Sequence, residues 1–232
     1  MEKIKVEIWS DIRCPFCYLG KRRFEAGLEQ FQYKNDVSVE WHSFQLDPYL
    51  VTQPGVSVYD HLADVKGISR QQSVQAHEQI VLQGKQFGID YNFDKAIVAN
   101  SFHAHRLTHL AKLHHRQNEA EELLFKAYFT DGINISDIDS LTKLGIEAGI
   151  PADIVKSAMN SEDFTDNVAM DEAYARELGI TGVPFFLFNE KLSVRGAQPP
   201  ETFLRALLKT WEMVNSKENS SKASRSYFLR KF

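Results

Sequence analysis

The chain has 232 residues, 43% of them hydrophobic and 25% charged, with 27 Lys and Arg against 31 Asp and Glu for a net charge of -4. Such a chain can bury a full core without disulfides, and it lacks the basic surface that nucleic acid requires as a partner. No segment approaches the roughly 18 apolar residues of a membrane span, and charges break up the N-terminal residues where a secretory signal would be apolar. The expected location is therefore cytoplasmic, with no membrane partner.

Ile4, Val6 and Ile8 alternate with Lys3, Lys5 and Glu7, the period of a strand. A turn over 9–13 leads to Cys14-Pro15-Phe16-Cys17, which holds both cysteines of the chain. Pro15 sits where a helix accepts proline, in its first turn. Phe24, Leu28 and Phe31 follow at helical spacing, with Lys21, Arg22, Arg23, Glu25 and Glu29 on the other faces, predicting an amphipathic helix over about 15–33. Val37, Val39 and Trp41 alternate as a second strand, and a β-α-β unit favours a parallel pair.

After Pro48 and Pro54-Gly55 the texture changes to helix upon helix, from about 57 to 178. Candidate helices cover 69–87, 95–115 and 119–129. Ser136 is a candidate cap for a helix reaching 147, and Pro151 opens another. The last of the block stops at Gly179, a natural left-handed cap. Strand signals return with the apolar run Phe185-Phe186-Leu187-Phe188 and the alternating Leu192 and Val194. A closing helix starts near Pro199-Pro200-Glu201. The order is α/β, a thioredoxin-type chain with a large all-helical insertion. Residues 1–52 and 180–214 form the two thioredoxin parts, 53–179 the insertion, and 215–232 a solvated polar tail.

Cys-X-X-Cys at a helix N-terminus has a plain physical logic. Unpaired N–H groups and the helix dipole stabilise a thiolate there, and the first cysteine of such motifs can ionise anywhere from about pH 3.5 to 7.5. Cys14 is then the nucleophile, and Cys17, one turn deeper, resolves the mixed disulfide that forms. Arg13 would favour a Cys14 thiolate, and Asp11 would oppose it if close. The competing reading is zinc, with the cysteines joined by histidines from the cluster His103, His105, His109, His114 and His115. The strand–helix junction explains the cysteines without a metal, so none is expected. Thr181-Gly182-Val183-Pro184 directly precedes the apolar strand. It reads either as a strand stop or as a cis-proline loop facing the cysteines, which would leave the Val183 backbone free to pair with an extended substrate.

On these residues the chain resembles the DsbA family of thioredoxin-fold oxidoreductases, in its FrnE-like cytoplasmic branch. The matching residues are Ser10-Asp11 before the cysteine motif, Asn100 with Ala104-His105-Arg106-Leu107, Ala127-Tyr128-Phe129, Leu178 through Phe186, and Gly196-Ala197-Gln198. The likeness runs over about residues 4–212. It implies a DsbA-like fold, a cis Pro184 beside the disulfide, and thiol–disulfide exchange with protein or small thiol substrates. Cys14, Cys17 and Pro184 would be catalytic. Val183 and Phe16 would contact substrate, with Asn100, His105 and Arg106 near the cleft. No cofactor is implied beyond the redox disulfide itself, with glutathione as a possible electron donor. Phe16 departs from the Trp or His commoner in relatives. Lacking a charge or hydrogen bond there, the pair should be less oxidising, suited to reduction or isomerisation. The second cysteine pair that some FrnE-like proteins carry does not occur here.

One alternative is a glutathione-dependent enzyme of the kappa-transferase or 2-hydroxychromene-2-carboxylate isomerase type. Those enzymes resemble this chain around Gly-Val-Pro but typically hold serine in place of Cys14 and have no use for Cys17. Another is a redox-sensing interaction module without turnover. The sequence leaves open the client proteins, the direction of electron flow and the oligomeric state.

Overall fold

The computed structural model describes residues 4–229, with side chains described as far as residue 216. Lys3, at the head of the predicted first strand, lies outside the described residues.

Four strands form one mixed sheet in the order β2-β1-β3-β4. They are β1 (Ile4–Ser10), β2 (Val37–Ser43), β3 (Phe185–Phe188) and β4 (Leu192–Arg195). β1 and β2 are parallel, joined through α1 (Pro15–Glu29), while β3 runs antiparallel to both β1 and β4. α1 is shorter than the predicted 15–33: it ends at Glu29, and a 3-10 turn over Lys34–Asp36 leads into β2.

One face of the sheet carries Ile4, Val6, Ile8, Phe186 and Phe188. These pack with Phe24 of α1 and with Phe203 and Leu207 of the C-terminal helix. That helix, α9 here, runs Pro200–Leu229. Its backbone continues past residue 215, where the sequence placed a polar tail. The tail's side chains from 217 lie outside the described residues. Gly27 lets α1 and α9 touch, because a Cβ there would stand 2.6 Å from the Pro200 carbonyl oxygen.

The other face is covered by the helical block: α2 (Val58–Lys66), α3 (Arg70–Lys85), α4 (Phe102–Leu113), α5 (Gln117–Lys126), α6 (Ile138–Glu147), α7 (Ala152–Met159) and α8 (Thr165–Glu177). Its core gathers Leu107, Leu124, Phe125, Phe129, Leu141 and Val155, all fully buried or nearly so. Two boundaries differ from the sequence expectation. The helix predicted from 95 begins only at Phe102, because Val98 bridges Gln53 and holds the preceding residues extended. Asp137, not Ser136, caps α6, accepting from Ser140 N at 2.8 Å, while the Ser136 hydroxyl turns to Asn134. α5 runs on through a π-turn over Ala127–Asp131.

α8 closes as expected at Gly179, whose φ is +66°. Ile180 N bonds Ala175 O and Gly179 N bonds Arg176 O, the paired bonds of a Schellman cap. This cap turns the chain straight into the loop before β3.

Candidate active site

The site stands where β1 ends and α1 begins. Asp11 shapes the turn between them. Its Oδ1 accepts from Arg13 N at 3.1 Å, its Oδ2 from Leu46 N at 2.8 Å, and its carbonyl from Cys14 N at 2.9 Å. This fixes Cys14 at the N-cap of α1 with extended backbone, followed by Pro15 in the first turn. Cys17 lies one turn inward, its N–H bonded to Cys14 O at 2.9 Å. Both thiols are free. Cys14 keeps 5% exposure and Cys17 none, so only the first sulfur can be approached from outside. Burial, reinforced by the adjacent Cys14, pushes the Cys17 thiol well up.

The Val183–Pro184 peptide is cis. The Cys14 thiol lies 3.9 Å from Val183 O, so the loop faces the first cysteine across the sheet end. Gly20 of α1 permits this approach, since a Cβ there would meet Pro184 Cγ at 2.8 Å. The Val183 N–H has no hydrogen-bond partner among the described residues. A groove of about 220 Å³ runs along the loop from Ile180 to Phe185 and on to Arg195 of β4. Phe16, 45% exposed, and Leu46, 51% exposed, stand as apolar residues at the rim of the turn.

The insertion supports this helix from below. Tyr91 donates to Pro15 O at 2.6 Å, and Tyr18 stacks on Phe125 at 5.0 Å between ring centres. Lys21, which the sequence pattern placed on a solvent face, is instead buried. Its ammonium pairs with Glu25 at 2.6 Å and Glu122 at 2.7 Å. It follows Tyr18 by one turn, and that side of α1 packs on α5 rather than on water.

The sequence-predicted residues divide. Cys14, Cys17, Val183, Pro184 and Phe16 come together at one end of the sheet. His105 lies beneath them, fully buried, with Nε2 3.8 Å from Asp11 Oδ1. That separation is too long for a hydrogen bond, so the pairing is Coulombic. Burial alone would raise the Asp11 carboxyl and lower His105; their opposite charges override it and move each the other way. Asp11 thus faces His105 and the turn amides, a paired charge rather than an open one beside Cys14. Asn100 accepts from Phe102 N and Gln45 and donates to Pro48 O and Leu50 O, so its amide ties the β2–α2 connection to α4. Arg106 is held by backbone carbonyls. It donates to the carbonyls of Asp163, Ala158 and Ser161 in the α7–α8 connection.

The histidine cluster does not join the cysteines either: His103 meets Arg106, and His109 meets Ser43 and Asp171. Sequence reasoning missed Glu121. It is 2% exposed, its Oε2 has no partner, and burial raises its carboxyl to about 7. Its only trace in the sequence is a second acid beside Glu122 on a helix whose polar residues otherwise read as surface.

A family model described as a DSBA-like thioredoxin domain matches residues 5–208. The uncharacterised protein YwbO of Bacillus subtilis is 31% identical over 211 residues, covering 88% of this chain and 96% of that one. A crystal structure of a probable DsbA oxidoreductase from Streptomyces coelicolor superposes with a TM-score of 0.85 at 36% identity, covering 90% of each chain. The cytosolic disulfide reductase DsbM of Pseudomonas aeruginosa shares the fold at 16% identity and a TM-score of 0.63, over 90% of this chain and 99% of that one.

Proposed function

Since the chain belongs to the DSBA-like thioredoxin domain family, we propose that it is a thiol–disulfide oxidoreductase or isomerase of the FrnE-like kind, acting on protein substrates in the cytoplasm. One observation carries this reading: two free thiols in series at a helix N-terminus, the outer reachable and the inner sealed. The Streptomyces coelicolor relative, described as a probable DsbA oxidoreductase, supports it, and no described helix is long and apolar enough to cross a membrane.

Chemistry follows from that order. The Cys14 thiolate attacks one sulfur of a substrate disulfide, and the other sulfur leaves as a thiolate and takes a proton. The Cys17 thiol then loses its proton and attacks Cys14 Sγ. The substrate's second sulfur departs reduced, and Cys14 and Cys17 are left as a disulfide. Burial raises Cys17 well above an ordinary thiol, so the inner sulfur stays protonated until the mixed disulfide forms. Glutathione, as electron donor, would return the pair to thiols. In the opposite direction the same steps oxidise a client.

The substrate lies along the 180–185 loop, its backbone meeting the unpaired Val183 N–H while Pro184 keeps the chain against Cys14. Phe16 and Leu46 give an unfolded protein apolar contact. His105 acts through Asp11 as a positioning residue, and Asn100 and Arg106 hold loops rather than substrate. A glutathione transferase or chromene-carboxylate isomerase would have no task for a sealed second thiol.

The test is a pair of variants. Cys14→Ser abolishes insulin reduction, and Cys17→Ala accumulates mixed disulfides with clients that denaturing, non-reducing gels display. Full insulin reduction by Cys14→Ser would refute the reading.

A further inference from the structure

One cleft lies on residues apart from the cysteine site. It has a volume of about 580 Å³ and opens beside β2, between Lys5, Glu40, Lys112 and Gln117. At its inner end, strand register brings together Glu7 of β1 with Glu40 and His42 of β2, since Glu7 pairs Glu40 directly and His42 lies two residues further along the same face. Oxygen and nitrogen atoms of these three side chains all lie within 4.8 Å of one another.

Three features set this group apart from an ordinary surface cluster. Glu7 is 3% exposed, and its Oε2 is buried with no hydrogen-bond partner. His42 Nε2 points at the carboxylates, 3.2 Å from Glu7 Oε1 and 3.9 Å from Glu40 Oε1. Its other nitrogen, Nδ1, lies 2.7 Å from Asp171 Oδ1 on α8. A carboxylate only accepts, so Nδ1 donates to it, and Nε2 is the nitrogen left to face the acids. That is the outer-shell arrangement that fixes a ligating histidine and raises its basicity. Asp171 is itself anchored by Ser43 N at 2.7 Å and by His109 at 3.1 Å.

A cation already occupies the centre. The Lys5 ammonium lies 3.0 Å from Glu7 Oε1 and 2.6 Å from Glu40 Oε2, and Lys112 also pairs with Glu40. The Lys5 side chain is 47% exposed and free to swing out into the cleft.

We propose that Glu7, Glu40 and His42 form a zinc site, with Asp171 orienting His42 and Lys5 as the competing internal cation. One imidazole and two carboxylates are ligands that Zn²⁺ accepts, and three protein ligands leave a fourth position open toward the cleft for water or a small anion. On binding, Lys5 withdraws from the carboxylates, and the metal joins the sheet's first two strands. No motif spacing announces this site, because Glu40 and His42 alternate like any residues of one strand face and Glu7 joins them only through register.

Zinc would also bind the two thiols, so the titration uses the full-length Cys14→Ser/Cys17→Ser chain with ZnCl2 and a calorimetric readout. That background separates this proposal from the exchange reading, which it does not touch. One equivalent of zinc binds and raises the melting temperature. Asp171→Asn weakens binding by about 10- to 100-fold, the usual effect of losing such an outer partner. Glu7→Gln and His42→Gln weaken it at least as much. Lys5→Met strengthens it by about tenfold, a gain that a merely structural lysine would not give. Should a His42 variant fail to fold, the more exposed Glu40→Gln makes the same test. Absence of binding, or binding indifferent to Glu7→Gln and Lys5→Met together, overturns the site.

Discussion

The two faces of the sheet differ in how much polar pairing they bury. One presents Ile4, Val6, Ile8, Phe186 and Phe188 to α1 and α9, and area removed from water holds it together. The other sets Glu7, Glu40 and His42 beside Trp9, Phe185 and Leu187 against the insertion, and directed pairs such as His42–Asp171 add to the apolar contact there. Packing on the first face tolerates exchange of one apolar group for another of similar volume. On the second, losing one partner leaves the other buried and unpaired.

The sharpest way to break the apolar face is Phe203→Ala. Phe203 is fully buried and packs edge-on against Phe186 at 4.6 Å and Phe24 at 5.8 Å. The loss is about 4 kcal/mol in urea melts and nearly independent of pH from 5 to 8, because no charge is involved.

The matching cut in the polar face is Asp171→Asn, with a loss of about 3 kcal/mol at pH 7. Burial alone would raise the Asp171 carboxyl, but hydrogen bonds from His109 and His42 hold it well below the usual carboxylate range. A lowered carboxyl stabilises the fold above its unfolded pKa of about 3.9 and loses that contribution as pH falls further. The gap between variant and parent therefore narrows below pH 4. A gap constant with pH would put Asp171 in the same class as Phe203.

Glu121→Gln acts in the reverse sense. Burial raises the Glu121 carboxyl to about 7. Between its unfolded pKa of about 4.3 and that value the folded chain holds more protons than the unfolded one, so stability falls as pH rises. The amide removes that penalty. The variant is more stable than the parent by at least about 2 kcal/mol at pH 8 and nearly equal to it below about pH 4, read from paired urea melts. Nearby His105 and Lys21 already hold the carboxyl below where burial alone would put it.

Legibility followed the same division. Strand and helix periods exposed the apolar face, because alternation in β1 and helical spacing in α1 are local signals, and Gly179 and Pro184 are local too. Cys14 and Cys17 were legible for the same reason. The polar face was not. Glu7 reads as the solvent side of β1, and nothing local says that the insertion will cover it, whereas Lys5 beside it does stay exposed. Lys21 was misread and Glu121 missed for the same reason, since a helix's polar face looks alike whether it meets water or another helix bearing opposite charge. The family resemblance placed Asn100, His105 and Arg106 at the cleft. His105 stands 3.8 Å from Asp11 of the turn, Asn100 bonds Gln45 beside Leu46, and Arg106 reaches carbonyls of α7 and the connection to α8.

The account rests on Cys14 and Cys17 exchanging a disulfide, and equilibrating the full chain in glutathione buffers tests it most directly. With the two thiols counted by mass after alkylation, the account predicts one reversible intramolecular disulfide, with a midpoint between about -270 and -180 mV. A chain whose two sulfurs never join at any poise, or join only near -120 mV, would contradict it.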